Sequence, residues 1–504
     1  MSLFNHKHTE ISTRCLMHIV GGSVLHKHTP YKGAVMNDTD RLMVQLDAIF
    51  SPESIAVVGV PQGMKTGKLF LMALIDQGFP GTIYPVHPEA EEIDGLKAYP
   101  TVSSIPGRVD LAIILVSHDR TLSIVRECAA KGVKGAILFS AGYTETGTDE
   151  GRKMQTELTR IARSSGMRIL GPNCMGLYAP RTGLSNFPEL PHAPGPLGLI
   201  SHSGSLENIL CRMAPEKGLA FSKAISLGNE CDLSFADFLT YLGRDPETKV
   251  IGTYIEDIKN GPRFLTALKG ASREKPVVVW KVGLTSEGSR AAFSHTGAMS
   301  SSREIWEGVV KQTGAIPVTG FEEWVDAMVG FSLLPSHLGD RMAIIAGPGG
   351  LAVSAAEACG NRGLTLASIS PDTQSRLAGS VPPTGTSLKN PIDVGMTASL
   401  DIDIYINAAR AVAEDPGVDA VVMMGLGLSP EVNKTYAEGM IQIQKDTGTP
   451  FVAVRIPGLD AQAVQTFFDA GLPFFESAER AMNTYAMVRG YQLWKESRKH
   501  AEPV

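Results

Sequence analysis

The chain has 504 residues, 43% of them hydrophobic and 19% charged, with a net charge of -6 and a mean hydropathy near zero. That length exceeds what one hydrophobic core supports and predicts about three domains. The weakly acidic balance, with no basic block and few aromatics, argues against nucleic-acid binding, and no run approaches the eighteen or so apolar residues that span a bilayer.

Residues 1–40 carry the tetrad His-Lys-His-Thr twice, at 6–9 and 26–29, and are expected to form a disordered extension or to precede a natural start at Met36. The six cysteines are scattered and form no CxxC, which predicts a reduced, cytoplasmic protein with neither a zinc site nor a disulfide framework.

From Ser54 onward one pattern recurs three times. Short apolar runs at 54–59, 198–202 and 341–346 each end in a Gly- or Ser-rich turn and lead into a helix-length segment. Further strand-like runs follow each opening, at 82–86, 111–116, 135–139 and 168–170, then at 250–255 and 276–281, then at 420–424 and 450–454. Continuous apolar runs of this length predict parallel strands covered on both faces, and their alternation with helices predicts βαβ units. Pro-rich joints at 188–196 and 334–340 separate the units. The expected architecture is three consecutive open α/β domains, at 44–187, 195–334 and 340–492.

Such folds bind anions where strand ends meet helix N-termini. The turn at 63–68, Gly-Met-Lys-Thr-Gly-Lys, is not a P-loop: three residues separate its glycines and Leu69 stands where Ser or Thr would hold Mg²⁺. No GxGxxG and no GxSxG occur, which disfavours a dehydrogenase and a serine hydrolase. Residues 289–299, Ser-Arg-Ala-Ala-Phe-Ser-His-Thr-Gly-Ala-Met, are rich in small side chains and are expected to form a loop. Its His295 would then stand clear of the backbone, and an imidazole is a nucleophile able to accept a phosphoryl group.

These motifs, in order, carry a resemblance. The segments Phe50-Ser-Pro-Glu-Ser-Ile-Ala-Val-Val-Gly59, Ile83-Tyr-Pro-Val-His-Pro88, Ser140-Ala-Gly-Tyr143 and Gly171-Pro-Asn-Cys-Met-Gly176 lie in the first unit. Ile200-Ser-His-Ser-Gly-Ser205, Ser226-Leu-Gly-Asn229, Tyr254-Ile-Glu256, Ser294-His-Thr-Gly-Ala298 and Asn390-Pro-Ile-Asp393 follow. From about 46 to 490 the chain resembles the α-subunit portion of the NDP-forming acyl-CoA synthetases, relatives of succinyl-CoA synthetase and of ADP-forming acetyl-CoA synthetase.

The resemblance implies a Rossmann-like CoA-binding domain followed by two flavodoxin-like domains of the succinyl-CoA-synthetase type. It implies an acid:CoA ligase that works through an acyl phosphate, with His295 carrying the phosphoryl group to or from the nucleotide and Glu256 hydrogen-bonding the second imidazole nitrogen. Ser203, Gly204, Ser205 and Gly297 would bind the phosphoryl group; Gly59, Lys65, Gly67, Lys68, Pro85, Ser140, Ala141 and Asn173 would bind CoA. Related sequences read Asn where His87 stands, Pro-Ala where Ser117-His118 stand, and Asp where Arg303 stands. No ATP-grasp domain is present in the sequence, so ATP and Mg²⁺ would be held by a separate ATP-grasp β-type subunit, with a homodimer of α or an α2β2 assembly expected. A small carboxylic acid and CoA would be the substrates. The alternatives are a non-catalytic CoA-binding regulatory protein of this fold and a CoA acyltransferase that uses no nucleotide.

Overall fold

The computed structural model describes residues 36–296, 302–425 and 427–499, apart from the side chains of residues 293–296 and 499. The two His-Lys-His-Thr tetrads and Gly297 lie outside the described residues. Helix α1 (Asp38–Phe50) opens the described chain, capped by the Asn37 side chain, which accepts from the Asp40 N–H at 2.8 Å.

Strands β1 (Ser54–Val58) and β2 (Thr82–Val86) are followed by a small hairpin, β3 (Glu92–Ile93) and β4 (Leu96–Lys97). The chain then forms β5 (Leu111–Ile114), β6 (Gly135–Leu138) and β7 (Arg168–Leu170). The order β2-β1-β5-β6-β7 makes a parallel sheet in which Ile55 lies opposite both Ile83 and Leu111. Every residue of β1, β5 and β6 is buried, the burial expected of parallel strands. Helices α2 (Thr66–Asp76), α3 (His118–Lys131) and α4 (Asp149–Ser165) provide its crossovers.

The second sheet begins with β8 (Gly176–Tyr178), which pairs antiparallel with β10 (Phe221–Ser226). It continues with β9 (Leu197–Ser201), β11 (Val250–Ile255), β12 (Val277–Lys281) and β13 (Ile316–Val318), in the order β13-β12-β11-β9-β10-β8. Its helices are α5 (Gly204–Met213), α6 (Phe235–Arg244), α7 (Gly261–Glu274), α8 (Ser286–Thr296) and α9 (Arg303–Thr313). The chain order reverses between β9 and β11, so a crevice opens at the C-terminal ends of these two strands.

The third sheet runs β15 (Thr365–Leu366), β14 (Arg341–Ala346), β17 (Ala420–Met424), β18 (Phe451–Val454), β19 (Phe474–Phe475), with β16 (Ile392–Asp393) also paired to β14. Apolar packing is continuous between neighbouring sheets. One cluster includes Ile55, Leu170, Ile200 and Ile251, and another includes Leu199, Met328, Ile344 and Val422.

Two expectations need correction. The segment at 289–299 is not a loop throughout, because α8 is helical to Thr296 and carries His295 on its last turn. The central strand β10 has no counterpart among the predicted strands. Its sequence, Phe-Ser-Lys-Ala-Ile-Ser, breaks the apolar run with Lys223, yet that lysine is buried against Asp245 at 2.8 Å and Glu247 at 2.9 Å. A buried ammonium is tolerated when paired in this way.

Candidate functional site

At the switch point between β9 and β11 lies a cavity of about 370 Å³. The turn after β9 contributes His202, Ser203, Gly204 and Ser205; β11 runs directly into Glu256 and Asp257; the turn after β10 adds Gly228, Asn229 and Glu230. From the first sheet come Ser140 and Ala141 after β6, and Asn173 and Cys174 after β7. Residues separated by more than a hundred positions thus meet where two α/β units abut.

Ser203 caps α5, its hydroxyl accepting from the Leu206 N–H at 3.3 Å. The N–H groups of Gly204 and Ser205, in the first turn, have no carbonyl partner within the helix, and these residues border the cavity at the positive end of the helix dipole, a setting that favours anions. A Cβ on Gly204 would come within 2.4 Å of Met175 Cγ and 3.0 Å of Ser226 Oγ, so this approach suits glycine.

Glu256 is only 6% exposed. Its backbone N–H donates to His202 Nδ1 at 3.1 Å and its carbonyl accepts from Lys281 Nζ at 3.0 Å. The Tyr254 phenol is pushed up by burial and further by its hydrogen bond to the Glu256 carboxylate. Burial lowers the Lys281 ammonium, while Asp257 and Glu256 pull it back. On the first-sheet side, Asn173 adopts a left-handed φ of 59° and its N–H donates to the Ser140 carbonyl at 3.0 Å. Glu145 binds the Gly142 N–H at 2.6 Å and the Asn229 amide; despite burial, these contacts hold its carboxyl below the ordinary value. Burial pushes the Cys174 thiol up to about 12, which makes it an inert structural group.

A second cavity, about 360 Å³, sits at the switch point of the first sheet and is lined by Gly59, His87, Ser117 and Arg120, among others. Gly59 has a φ of 88°, and a Cβ there would meet Val116 Cγ1 at 2.7 Å. His87 Nδ1 accepts from the N–H groups of Glu89 at 3.2 Å and Ala90 at 3.0 Å, so it caps the turn as an Asn oxygen would. Of the other expected CoA residues, Lys65 is exposed at the N-cap of α2 and Gly67 packs near Pro61. Pro85 is buried within β2 opposite Val57. Lys68 turns inward to Asp94 at 2.7 Å, with only 6% of its side chain exposed. The structure therefore groups Ser140, Ala141 and Asn173 with the first cavity and Gly59 with the second.

His295 sits near the end of α8, which follows β12, and β12 lies beside β11 with Lys281 opposite Ile255. The helix thus starts from the sheet edge that carries Glu256. The His295 side chain lies outside the described residues.

An α subunit of acetate–CoA ligase (ADP-forming) II from Pyrococcus furiosus is 36% identical over 453 residues, covering 88% of this chain and 97% of that protein. The chain belongs to the NDP-forming acyl-CoA ligases, in their α-subunit portion. The α subunit of the Pyrococcus furiosus isoform I is 33% identical over 465 residues, 90% of this chain and 100% of that protein. The solved dinucleotide-forming acetyl-coenzyme A synthetase 1 of Ca. Korarchaeum cryptofilum, in complex with phosphate and ADP, superposes with a TM-score of 0.81 at 31% identity, over 91% of this chain and 99% of that one. Residues 53–180 match a CoA binding domain, 194–331 a succinyl-CoA ligase like flavodoxin domain and 342–446 a ligase-CoA domain.

Within this acid:CoA ligase fold, His202, Glu230, Lys281, Glu145 and Arg120 join the cavities, or hold residues that line them, without a local sequence pattern that marks them. His202 and Glu230 lie 28 positions apart, and no periodicity links residues on two different strand-end turns. Their only sequence signal is that His202 lies within the quoted Ser-His-Ser-Gly-Ser motif and Glu230 directly follows Ser-Leu-Gly-Asn.

Glu207, also on α5, is fully buried; burial pushes its carboxyl up to about 7, against hydrogen bonds from Asn186 and Cys211. A carboxyl with a raised folded-state value adds stability below its unfolded value, near 4.5, and loses it as pH rises through about 7. Chemical denaturation at pH 5 and pH 8 should therefore show wild type losing about 2 kcal/mol relative to Glu207→Gln, since pH 5 lies just above the unfolded value and pH 8 above the folded one. A pH-independent difference between the two proteins would refute this assignment.

Proposed function

We propose that the chain is the α-type subunit of an acid:CoA ligase that makes or uses acyl-CoA through an acyl phosphate, with a phosphohistidine at His295. ATP and Mg²⁺ would be bound by a separate ATP-grasp chain, giving α2β2 or a related assembly. In the ligating direction the γ-phosphoryl of ATP passes to the His295 ring, releasing ADP. It then passes to an oxygen of the carboxylic acid, and the CoA sulfur attacks the acyl carbon as phosphate leaves. Such transfers need a positioned nucleophile and positive potential around the phosphoryl oxygens, and little other covalent help.

One observation carries this reading. The cavity at the β9–β11 switch point joins a helix N-terminus at residues 203–205 and the carboxylate residue Glu256 with Ser140, Ala141 and Asn173 from the CoA-binding unit. On this reading the site for phosphate and the site for the thioester share one space. Glu256 would hydrogen-bond the imidazole, fix its tautomer and stabilise the phosphorylated ring. The first-sheet cavity at Gly59 would take the nucleotide end of CoA. The five described cysteines are all free thiols, which supports a reducing, cytoplasmic setting.

The test combines this chain with an ATP-grasp chain from the same genome, CoA, ATP and a panel of small carboxylic acids. Loss of free CoA thiol that requires acid and ATP and releases one nucleoside diphosphate per thioester is expected. Thiol loss from an acyl phosphate with no nucleotide requirement would replace this reading with a nucleotide-independent acyltransferase. CoA binding without thioester formation would leave a regulatory CoA-binding protein.

A further inference from the structure

Glu256 enters the site cavity from a backbone held at both polar groups. Its N–H donates to His202 Nδ1 at 3.1 Å, and its carbonyl accepts from Lys281 Nζ at 3.0 Å. Because an amide N–H points at Nδ1, that nitrogen offers its lone pair and the ring proton resides on Nε2. Nε2 in turn donates to Glu230 Oε1 at 2.9 Å. The other Glu230 oxygen accepts the Phe235 N–H at 2.6 Å, which anchors the couple to the first turn of α6.

The His202 and Glu230 side chains are almost wholly buried, at 5% and 3% exposed, although they border the cavity. The imidazole packs against the Phe235 ring with centroids 5.3 Å apart, and the His202 N–H donates to the Tyr254 carbonyl at 3.2 Å. Glu230 holds a left-handed φ of 52°, a conformation unusual for a residue with a side chain. Strained backbone and a fully engaged buried imidazole beside a reaction cavity are features that the surrounding structure must enforce.

We propose that His202, locked by Glu230, is a positioning residue: it fixes the backbone at Glu256 and thereby the direction from which that carboxylate enters the cavity. The inference rests on the reading of Glu256 as the carboxylate that serves the phosphoryl carrier. It also separates the roles of two histidines. Both nitrogens of His202 are engaged, so its ring has no free lone pair for a phosphoryl group, and it supports the site without carrying the transferred group.

Two substitutions separate the ring's two contacts. His202→Asn keeps an oxygen near the Nδ1 position and gives up Glu230; His202→Gln reaches towards Glu230 and offers no acceptor to Glu256. In hydrogen exchange resolved at the Glu256 amide of the full chain, His202→Gln should speed exchange about 10-fold, and His202→Asn should stay within about 3-fold of wild type. Unchanged exchange in His202→Gln would overturn the proposal.

In the reconstituted ligase assay, His202→Gln should lower kcat about 10-fold with KM for CoA unchanged, and His202→Asn should restore most of it. A wild-type kcat in His202→Gln overturns the positioning role and leaves the proposed function standing. A wild-type chain that forms no thioester overturns the proposed function, and the exchange measurement then decides the His202–Glu256 contact by itself. Should His202→Gln fail to fold, Glu230→Gln carries the same two measurements. It should give a smaller change in the same direction, about 3-fold, and no change overturns the proposal.

Discussion

His295→Ala should take up no acid-labile, alkali-stable label from γ-labelled ATP and should form thioester at least about 10³-fold more slowly than wild type. A nucleophile that forms a covalent intermediate has no substitute in its site, so its removal costs far more than loss of a binding contact. The rest of the apparatus should persist. On the proposed reading CoA binds at the first-sheet cavity at Gly59, and the 203–205 helix start and the Glu256 backbone are held by the Ser203 cap, His202 and Lys281. The variant should therefore keep its melting temperature and its CoA affinity while losing transfer. Full labelling in His295→Ala would assign the phosphoryl group to another residue. Loss of labelling together with loss of CoA binding would point to disruption of the fold instead of removal of a carrier.

Much of this was legible in the sequence where burial is simple. Strands such as Val250–Ile255 and Ala420–Met424 read directly, because parallel strands buried on both faces need unbroken apolar runs. Phe221–Ser226 did not, because its Lys223 finds Asp245 and Glu247 across a tertiary contact that no local pattern encodes. The site divided in the same way. Ser203 and Gly204 announce themselves through the turn chemistry of a helix start, whereas Glu256 is marked only by the family resemblance of Tyr254-Ile-Glu256. His202 and Glu230 reveal their role only when two strand ends lie side by side. The small-residue stretch before His295 read as a loop, yet Ala291 and Ala292 are good helix formers and α8 includes them.

Gly228→Ala should be the most damaging single substitution outside the reacting groups, and it tests whether the seam between the first two units is essential. A Cβ there would lie 2.1 Å from the Pro172 carbonyl oxygen and 2.6 Å from that of Asn173, in a backbone with φ of 60°. Both obstacles are main-chain atoms, so no rotamer change relieves them. The turn would have to move away from residues 172–173, breaking the Asn229 N–H to Pro172 carbonyl bond of 2.8 Å and shifting Asn173 and Asn229 where they line the cavity. A left-handed alanine costs about 1 kcal/mol by itself, and the clash with the lost hydrogen bond brings the expected total to about 3 kcal/mol or more. Gly132→Ala is the matched control: φ is 80° there and nothing lies within 4 Å of a Cβ, so only the conformational cost of about 1 kcal/mol applies. Denaturation should separate the two variants by about 2 kcal/mol, and thioester formation should fall more than about 10-fold in Gly228→Ala alone. Equal stability and equal activity in the two variants would mean that the seam yields without consequence, and that the cavity does not depend on the close approach of these two turns.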